Sequence, residues 1–318
     1  SPQRDTNTPP HSRFHQMLPT SVWPRTLTLG VLGTMCKLFL HFLEDFSVGN
    51  RDTLIEQIYN RPKGQGLITV SNHASTFDDP LLWGLLPLRT LWNPHKLRWS
   101  LSAEEVCYTN IFSQTFFSFA QGISVMRGDG LQQRGIDLAV EKLLNGDWVH
   151  IFSEGYINQS EKVWPMRWGV AKLISRVTAL THQSPIVLPF YHHGMHRVVP
   201  LDDDRIGFPS LFHRIHVEFG QPIDFQHQLE RFIARTKYYY DQSMDHLFPT
   251  NNILPTSSPF HHPRNVVPHL RNFSPTTQRD QLFLADTDLE KALYSRITAR
   301  IENAITQLGE KVQTNHFN

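Results

Sequence analysis

Five short runs of β-branched and aromatic residues, separated by longer stretches of helical periodicity, constrain this 318-residue chain more than any other feature. The runs are Leu67–Ser71, Ile123–Met126, Trp148–Phe152, Ile186–Phe190 and Ile215–Phe219. Between them, 131–144 carries Ile136, Val140, Leu143 and Leu144 on one helical face and stops at Asn145-Gly146, a suitable helix end. Residues 168–180 likewise gather Leu173, Val177 and Leu180. This alternation predicts an α/β fold, a mixed sheet covered by helices, with the main domain over 50–247.

The ends of the chain read differently. Residues 1–20 are rich in Pro, Ser, Thr and Asn and predict a flexible terminus, and 248–281 is a Pro-rich loop or insertion that supports neither helix nor central strand. Residues 282–318 predict an amphipathic helix and tail: Thr287-Asp-Leu-Glu290 resembles a capping box, and Leu289, Leu293, Ile297, Ile301, Ile305 and Leu308 follow at near-helical spacing. That stripe could dock on the domain, pair with a second subunit or touch lipid.

Lys and Arg number 30 and Asp and Glu 29, so no broad positive field exists to collect polyphosphate, which argues against nucleic acid as a partner. Charged residues make up only 19% while Phe alone contributes 21 side chains, so apolar surface must be concentrated somewhere. Cys36 and Cys107 form neither a disulfide framework nor a C-x-x-C pair.

Residues 21–49 hold the most lipid-like segment, Val22–Leu43, interrupted by Arg25, Lys37 and His41. Its uninterrupted part is too short for the roughly 20 residues of a spanning helix. Trp23 and the flanking basic residues suit a membrane interface, where ammonium and guanidinium groups snorkel to the headgroups; a helix packed on the domain's own core fits the same pattern. Phe112, Phe116, Phe117 and Phe119 within 111–125 could cover a helix face or line an acyl groove.

The stretch SNHASTFDDP, residues 71–80, follows the LITVS run directly, which puts His73 at a strand end, where α/β folds place their chemistry. On a continuous helix His73 and Asp78 would point about 140° apart, so they meet only across a loop. Asp78 could then hold one imidazole nitrogen and leave the other as a general base, with Asp79 as N-cap and Pro80 opening the next helix. The plain alternative is a turn with a capping carboxylate. No G-x-S-x-G occurs and neither cysteine has a nucleophile's context, so direct attack by a substrate hydroxyl fits better than an acyl-enzyme.

Three further segments stand downstream in order: GISVMR ending at Arg127, IFSEG containing Glu154 and Gly155, and IVLP ending at Pro189. Together with H-x-x-x-x-D they resemble the four motifs of the glycerolipid acyltransferase family. The surrounding text, LITVSNHASTFDDPLLWG, LRWSLSAEEVCYTN, GDWVHIFSEG and MRWGVAKLI, is similar to the branch that remodels cardiolipin by moving acyl chains between phospholipids and lysophospholipids without coenzyme A. The resemblance implies His73 as the base oriented by Asp78, Arg127, Glu154 and Gly155 as substrate-binding residues, and no cofactor or metal. It implies phosphatidylcholine, cardiolipin and their lyso forms as substrates, a membrane surface as partner, and a peripheral or monotopic place on mitochondrial membranes facing the intermembrane space.

Ser153 and Tyr156 depart from the family, which commonly has Pro and a basic residue there, and Arg167 or Lys172 could compensate. His192, His193 and His196 raise a metal as a rival reading, although no carboxylate or cysteine completes a familiar spacing. An acyl-CoA-dependent lysophospholipid acyltransferase and a non-catalytic membrane scaffold stay open as alternatives, as does a homo-oligomer.

Overall fold

Leu67–Ser71 is buried at every position, and side-chain alternation explains why its apolar residues serve two cores. Ile68 and Val70 enter one core with Val149, Ile151 and Val187, whereas Leu67 enters a second core with Trp148, Leu188 and Phe190. Successive strand residues face opposite sides of a sheet, so a strand covered on both faces has apolar residues pointing both ways.

The computed structural model describes residues 21–160, 162–201, 209–247 and 282–317. Its first half runs α1 (Val22–Phe42), β1 (Asp45–Gly49), α2 (Arg51–Tyr59), β2 (Leu67–Ser71), α3 (Asp78–Leu81), α4 (Leu88–Leu91), β3 (Trp99–Ala103), α5 (Glu104–Cys107) and α6 (Ile111–Phe119). Then follow β4 (Gly122–Val125), α7 (Arg134–Leu144), β5 (Trp148–Phe152), α8 (Gly169–Thr181), β6 (Ile186–His193), α9 (Met195–Val198), β7 (Arg214–Phe219), α10 (Gln226–Leu247) and α11 (Asp288–Val312). The two segments read as flexible, 1–20 and 248–281, lie outside the described residues.

The described strands form one seven-stranded sheet in the order β1-β7-β6-β2-β5-β3-β4. Only the β6–β7 pair is antiparallel, so the sheet is mixed, as the alternation predicts. Helices α7, α8 and α11 cover one face, and α1, α2 and the 81–91 segment the other. The sequence reading lacks β1 and β3. β1 lies at the sheet edge and alternates exposed and half-buried positions, a pattern too polar to register as an apolar run.

α11 begins at the expected capping box: Thr287 accepts from Glu290 N, and the Glu290 carboxylate accepts from Thr287 N at 2.7 Å. Its Leu293, Ile297, Ile301 and Ile305 are at most 4% exposed against the domain, each worth about 1.5–3 kcal/mol of burial. Docking on the domain is therefore the fate of most of the stripe; Leu289 is the exception at 55% exposed.

The segment 21–49 is not one helix. α1 stops at Phe42 and Asp45–Gly49 pairs with β7. One face of α1 packs on the domain through Leu29, Gly30, Gly33, Cys36 and Leu40, while Trp23 (83%), Phe42 (69%), Met35 (63%) and Leu27 (61%) face outward. Arg25 and Lys37 do not snorkel outward. Arg25 is buried over the Trp99 ring and donates to Gln121 Oε1 at 2.8 Å, and Lys37 Nζ donates to the Gly84 and Leu86 carbonyls at 3.2 and 3.1 Å. No described helix is long and apolar enough to cross a membrane.

Candidate active site

Ser71 at the end of β2 is paired with Phe152 at the end of β5, so the loops that leave these parallel strands emerge side by side. One carries His73 and Asp78, the other Glu154 and Gly155. Residues 72–75 are irregular, as the meeting of His73 and Asp78 requires: His73 Nδ1 lies 2.9 Å from Asp78 Oδ2. The same Oδ2 accepts from the backbone N–H groups of Ala74 at 2.7 Å and Ser75 at 2.9 Å. Burial alone would raise the Asp78 pKa, but the imidazoles of His192 and His73 and the Ser75 N–H outweigh it and hold the group below its ordinary value. An ionised Asp78 places the proton of His73 on Nδ1 and leaves Nε2 as acceptor. The His73 side chain remains 20% exposed while that of Asp78 is fully buried.

A second imidazole stands behind this pair. β6 extends three residues beyond Phe190 and so brings His192 beside Asn72. Asn72 Nδ2 donates to the His192 carbonyl at 2.9 Å, Asn72 Oδ1 accepts from His192 N at 3.0 Å, and His192 Nε2 lies 3.0 Å from the Asn72 carbonyl and 3.5 Å from Asp78 Oδ2. Burial pushes the His192 pKa down and the nearby Asp78 carboxylate opposes the fall. Among the described residues no group of three His, Cys, Asp or Glu side chains is placed to hold a metal ion.

Glu154 lines the cleft with its carboxylate bonded to the protein. It is 2% exposed; Oε1 accepts from His73 N at 3.0 Å, and Oε2 accepts from Asn158 Nδ2 at 2.5 Å and Trp164 N at 3.0 Å. Burial pushes its carboxyl up and these donors offset part of the rise. The Glu154 carboxylate thus ties the His73 backbone to the following loop. Gly155 has φ +80°, and an added Cβ there would meet Arg167 Cγ at 3.3 Å. The turn favours glycine in its dihedral and also leaves room for the arginine lying across it.

His73, Arg127, Glu154 and Gly155 all line one cleft of about 850 Å³. Apolar side chains make much of its wall, including Leu101, Val125, Leu131, Ile136, Ile151 and Met166. Arg127 lies 4.6 Å from the Tyr156 ring, forms an ion pair with Glu105 through Nε, and donates from Nη1 to the Gly155 carbonyl at 3.2 Å. Arg167 lines the cleft also. Lys172 does not: it is 4% exposed and pairs with Asp286 at 2.7 Å, so it is neither surface charge nor a substitute in the cleft.

Asp79 is not an N-cap. Its backbone is extended within α3, and its carboxylate binds Arg98 and, at 2.9 Å, Trp83 Nε1. The His73 ring stacks on Phe152 at 4.1 Å and 18°, and Phe152 packs edge-on against His150 at 4.4 Å. Neither His192 nor this aromatic stack was legible as part of the site, since both depend on strands distant in sequence.

The acyltransferase family matches over residues 53–192. Tafazzin of Drosophila melanogaster is 40% identical over 199 residues, which cover 62% of this chain and 50% of the relative. Taffazin of Dictyostelium discoideum is 34% identical over 222 residues, 67% of this chain and 75% of the relative. N-acylphosphatidylethanolamine synthase of Arabidopsis thaliana is 34% identical over 206 residues, 64% of this chain and 71% of the relative. The chain spans about half the length of the fly protein.

Proposed function

The chain belongs to the tafazzin-type glycerolipid acyltransferases, and from that premise we propose that it moves acyl chains between phospholipids and lysophospholipids without acyl-CoA, with cardiolipin among the lipids remodelled. The observation that carries the reading is the hydrogen bond from His73 Nδ1 to Asp78 Oδ2 at the wall of an apolar cleft. His73 Nε2 takes the proton of the lysolipid hydroxyl as its oxygen attacks an ester carbonyl of the donor lipid. The tetrahedral intermediate then expels the donor's glycerol oxygen, which recovers the proton from Nε2. One ester breaks and one forms, so the reverse transfer uses the same groups, and buried Asp78 stabilises the imidazolium in both directions.

A membrane surface as partner is supported by the outward apolar residues of α1 and by Ile111 (65%) and Phe112 (84%) of α6, which packs beside α1. The reading includes a peripheral place on mitochondrial membranes facing the intermembrane space, as the family resemblance implies. The donor is tested in liposomes holding labelled phosphatidylcholine and lysocardiolipin, with and without acyl-CoA. Transfer in the absence of acyl-CoA is expected; strict dependence on it would assign the chain to the CoA-dependent acyltransferases. Label appearing on the amine of phosphatidylethanolamine would assign it the activity named in the Arabidopsis relative.

A further inference from the structure

The buried carboxylate of the dyad is held from two directions. His73 Nδ1 at 2.9 Å, Ala74 N at 2.7 Å and Ser75 N at 2.9 Å reach Asp78 Oδ2 from its own loop, whereas His192 Nε2, at 3.5 Å, reaches it from β6. The His192 side chain has no solvent exposure and is not part of the cleft wall, so it meets the dyad from behind and touches no substrate.

Asn72, the residue before His73, brackets the second imidazole: its Nδ2 donates to the His192 carbonyl at 2.9 Å and its Oδ1 accepts from His192 N at 3.0 Å. His192 Nε2 in turn faces the Asn72 carbonyl at 3.0 Å as well as Asp78 Oδ2. A carbonyl and an ionised carboxylate only accept, so Nε2 carries a proton. Nδ1 is buried with no hydrogen-bond partner among the described residues, which leaves Nε2 to orient the ring. Against the burial that would raise the Asp78 pKa, the His192 imidazole helps to hold it down. The loop backbone is tied from elsewhere: Glu154 Oε1 accepts from His73 N at 3.0 Å, Asn158 N donates to the His73 carbonyl at 2.6 Å, and Gln159 Nε2 donates to the Ala74 carbonyl at 3.0 Å. Those bonds fix the chain, and His192 reaches the carboxylate itself.

We propose that His192 is a positioning residue for acyl transfer: its Nε2–H, held between the Asn72 carbonyl and Asp78 Oδ2, fixes the carboxylate that orients His73. The working unit is then His73, Asp78 and His192, assembled from the loop after β2 and the end of β6. The reaction in which it acts rests on the acyl-transfer reading above. When His73 takes the hydroxyl proton, its imidazolium needs Asp78 charged and in place, and a donor from a second strand keeps the carboxylate aimed through that step. An apolar ring at 192 would leave the Asn72 carbonyl and Asp78 Oδ2 each short of a buried donor.

The test compares three variants of the full chain in liposomes of phosphatidylcholine and lysocardiolipin: His192→Gln, whose amide stands where Nε2 does, His192→Asn, whose amide stands where Nδ1 does, and His192→Phe. His192→Asn and His192→Phe should lower kcat by about 10- to 100-fold with KM for lysocardiolipin nearly constant, while His192→Gln recovers most of the rate. In an Asp78→Asn background His192→Phe should lower kcat by less than about twofold, because the carboxylate through which it acts is gone. Where His192→Phe fails to fold, the contrast of Gln with Asn carries the test, since both put one amide into the same buried place. A His192→Gln chain as slow as His192→Asn, a rise in KM in place of the fall in kcat, or losses that multiply in full with Asp78→Asn would overturn the proposal. Transfer that needs both acyl-CoA and the His192 donor would keep the positioning role and remove the transfer reading; acyl-CoA-free transfer indifferent to all three substitutions would do the reverse. In a chain that transfers no acyl group, the low-field proton resonance lost in His73→Gln reads the same contact: moved by His192→Asn and restored in His192→Gln it keeps the role, and unmoved it overturns it.

Discussion

Asp78 Oδ2 receives His73 Nδ1 at 2.9 Å while lying in a side chain with no solvent exposure, so the orientation of the half-buried imidazole is set by a fully buried charge. Asp78→Asn keeps the shape but removes that charge and allows an amide N–H to face the ring. The expected result is a fall in kcat of about 10²- to 10⁴-fold with vesicle binding retained. A variant with more than half of wild-type turnover would show that His73 does not depend on this tautomer.

Glu154 acts through the backbone of His73. Glu154→Gln replaces a carboxylate oxygen with an NH₂ in a site where every partner is a donor, His73 N, Asn158 Nδ2 and Trp164 N. The expected cost is about 1–3 kcal/mol of stability, read from urea unfolding. The accompanying displacement of His73 should reduce kcat by about 10- to 100-fold while leaving KM for the lysolipid nearly constant. A selective rise in KM would instead mean that the carboxylate contacts substrate.

His150 gives the fold an acid-sensitive point. It is fully buried among Trp83, Phe152 and Phe190 with Nδ1 against Thr69 Oγ1 at 2.9 Å, and burial lowers its pKa to about 3. An unfolded chain binds this proton below its ordinary pKa of about 6.5, whereas the folded one does not until near pH 3. Stability contributed by this group is therefore present above about pH 6.5 and falls by up to about 1.4 kcal/mol per pH unit below it. Unfolding free energies measured from pH 7 to 5 should decline less steeply in His150→Phe than in wild type; equal slopes would contradict the neutral buried imidazole.

The outward apolar residues of α1 and α6 should matter for lipid and little for folding. Trp23 and Phe112 are 83% and 84% exposed, so Trp23→Ser combined with Phe112→Ser should leave the melting temperature unchanged. Partitioning onto phosphatidylcholine vesicles should fall by about tenfold or more, because two large apolar groups no longer leave water. Unaltered vesicle binding would place the contact elsewhere on the surface.

What could be read without coordinates divides along physical lines. Leu67–Ser71 and Trp148–Phe152 were legible because burial on both faces favours short runs rich in aliphatic and aromatic residues, and α11 because Thr287 and Glu290 mark its start. β1 and β3 were not, since Asp45–Gly49 is an edge strand and Trp99–Ala103 grades from buried to half-buried within five residues. In the site, the spacing from His73 to Asp78 is a local property and was visible. The junction of Asn72 with His192 spans 120 residues and exists only because β6 lies beside β2, which no motif announces. The inward turn of Arg25 and Lys37 was likewise hidden, because a charged letter does not state which side of the wall its head group occupies.

The most direct measurement is the rate of label transfer from phosphatidylcholine to lysocardiolipin in liposomes free of acyl-CoA, comparing wild type with His73→Gln at matched vesicle binding. Transfer by the wild type that falls to background in His73→Gln is the predicted result. Transfer that persists in His73→Gln would contradict the assignment of His73 Nε2 as the base.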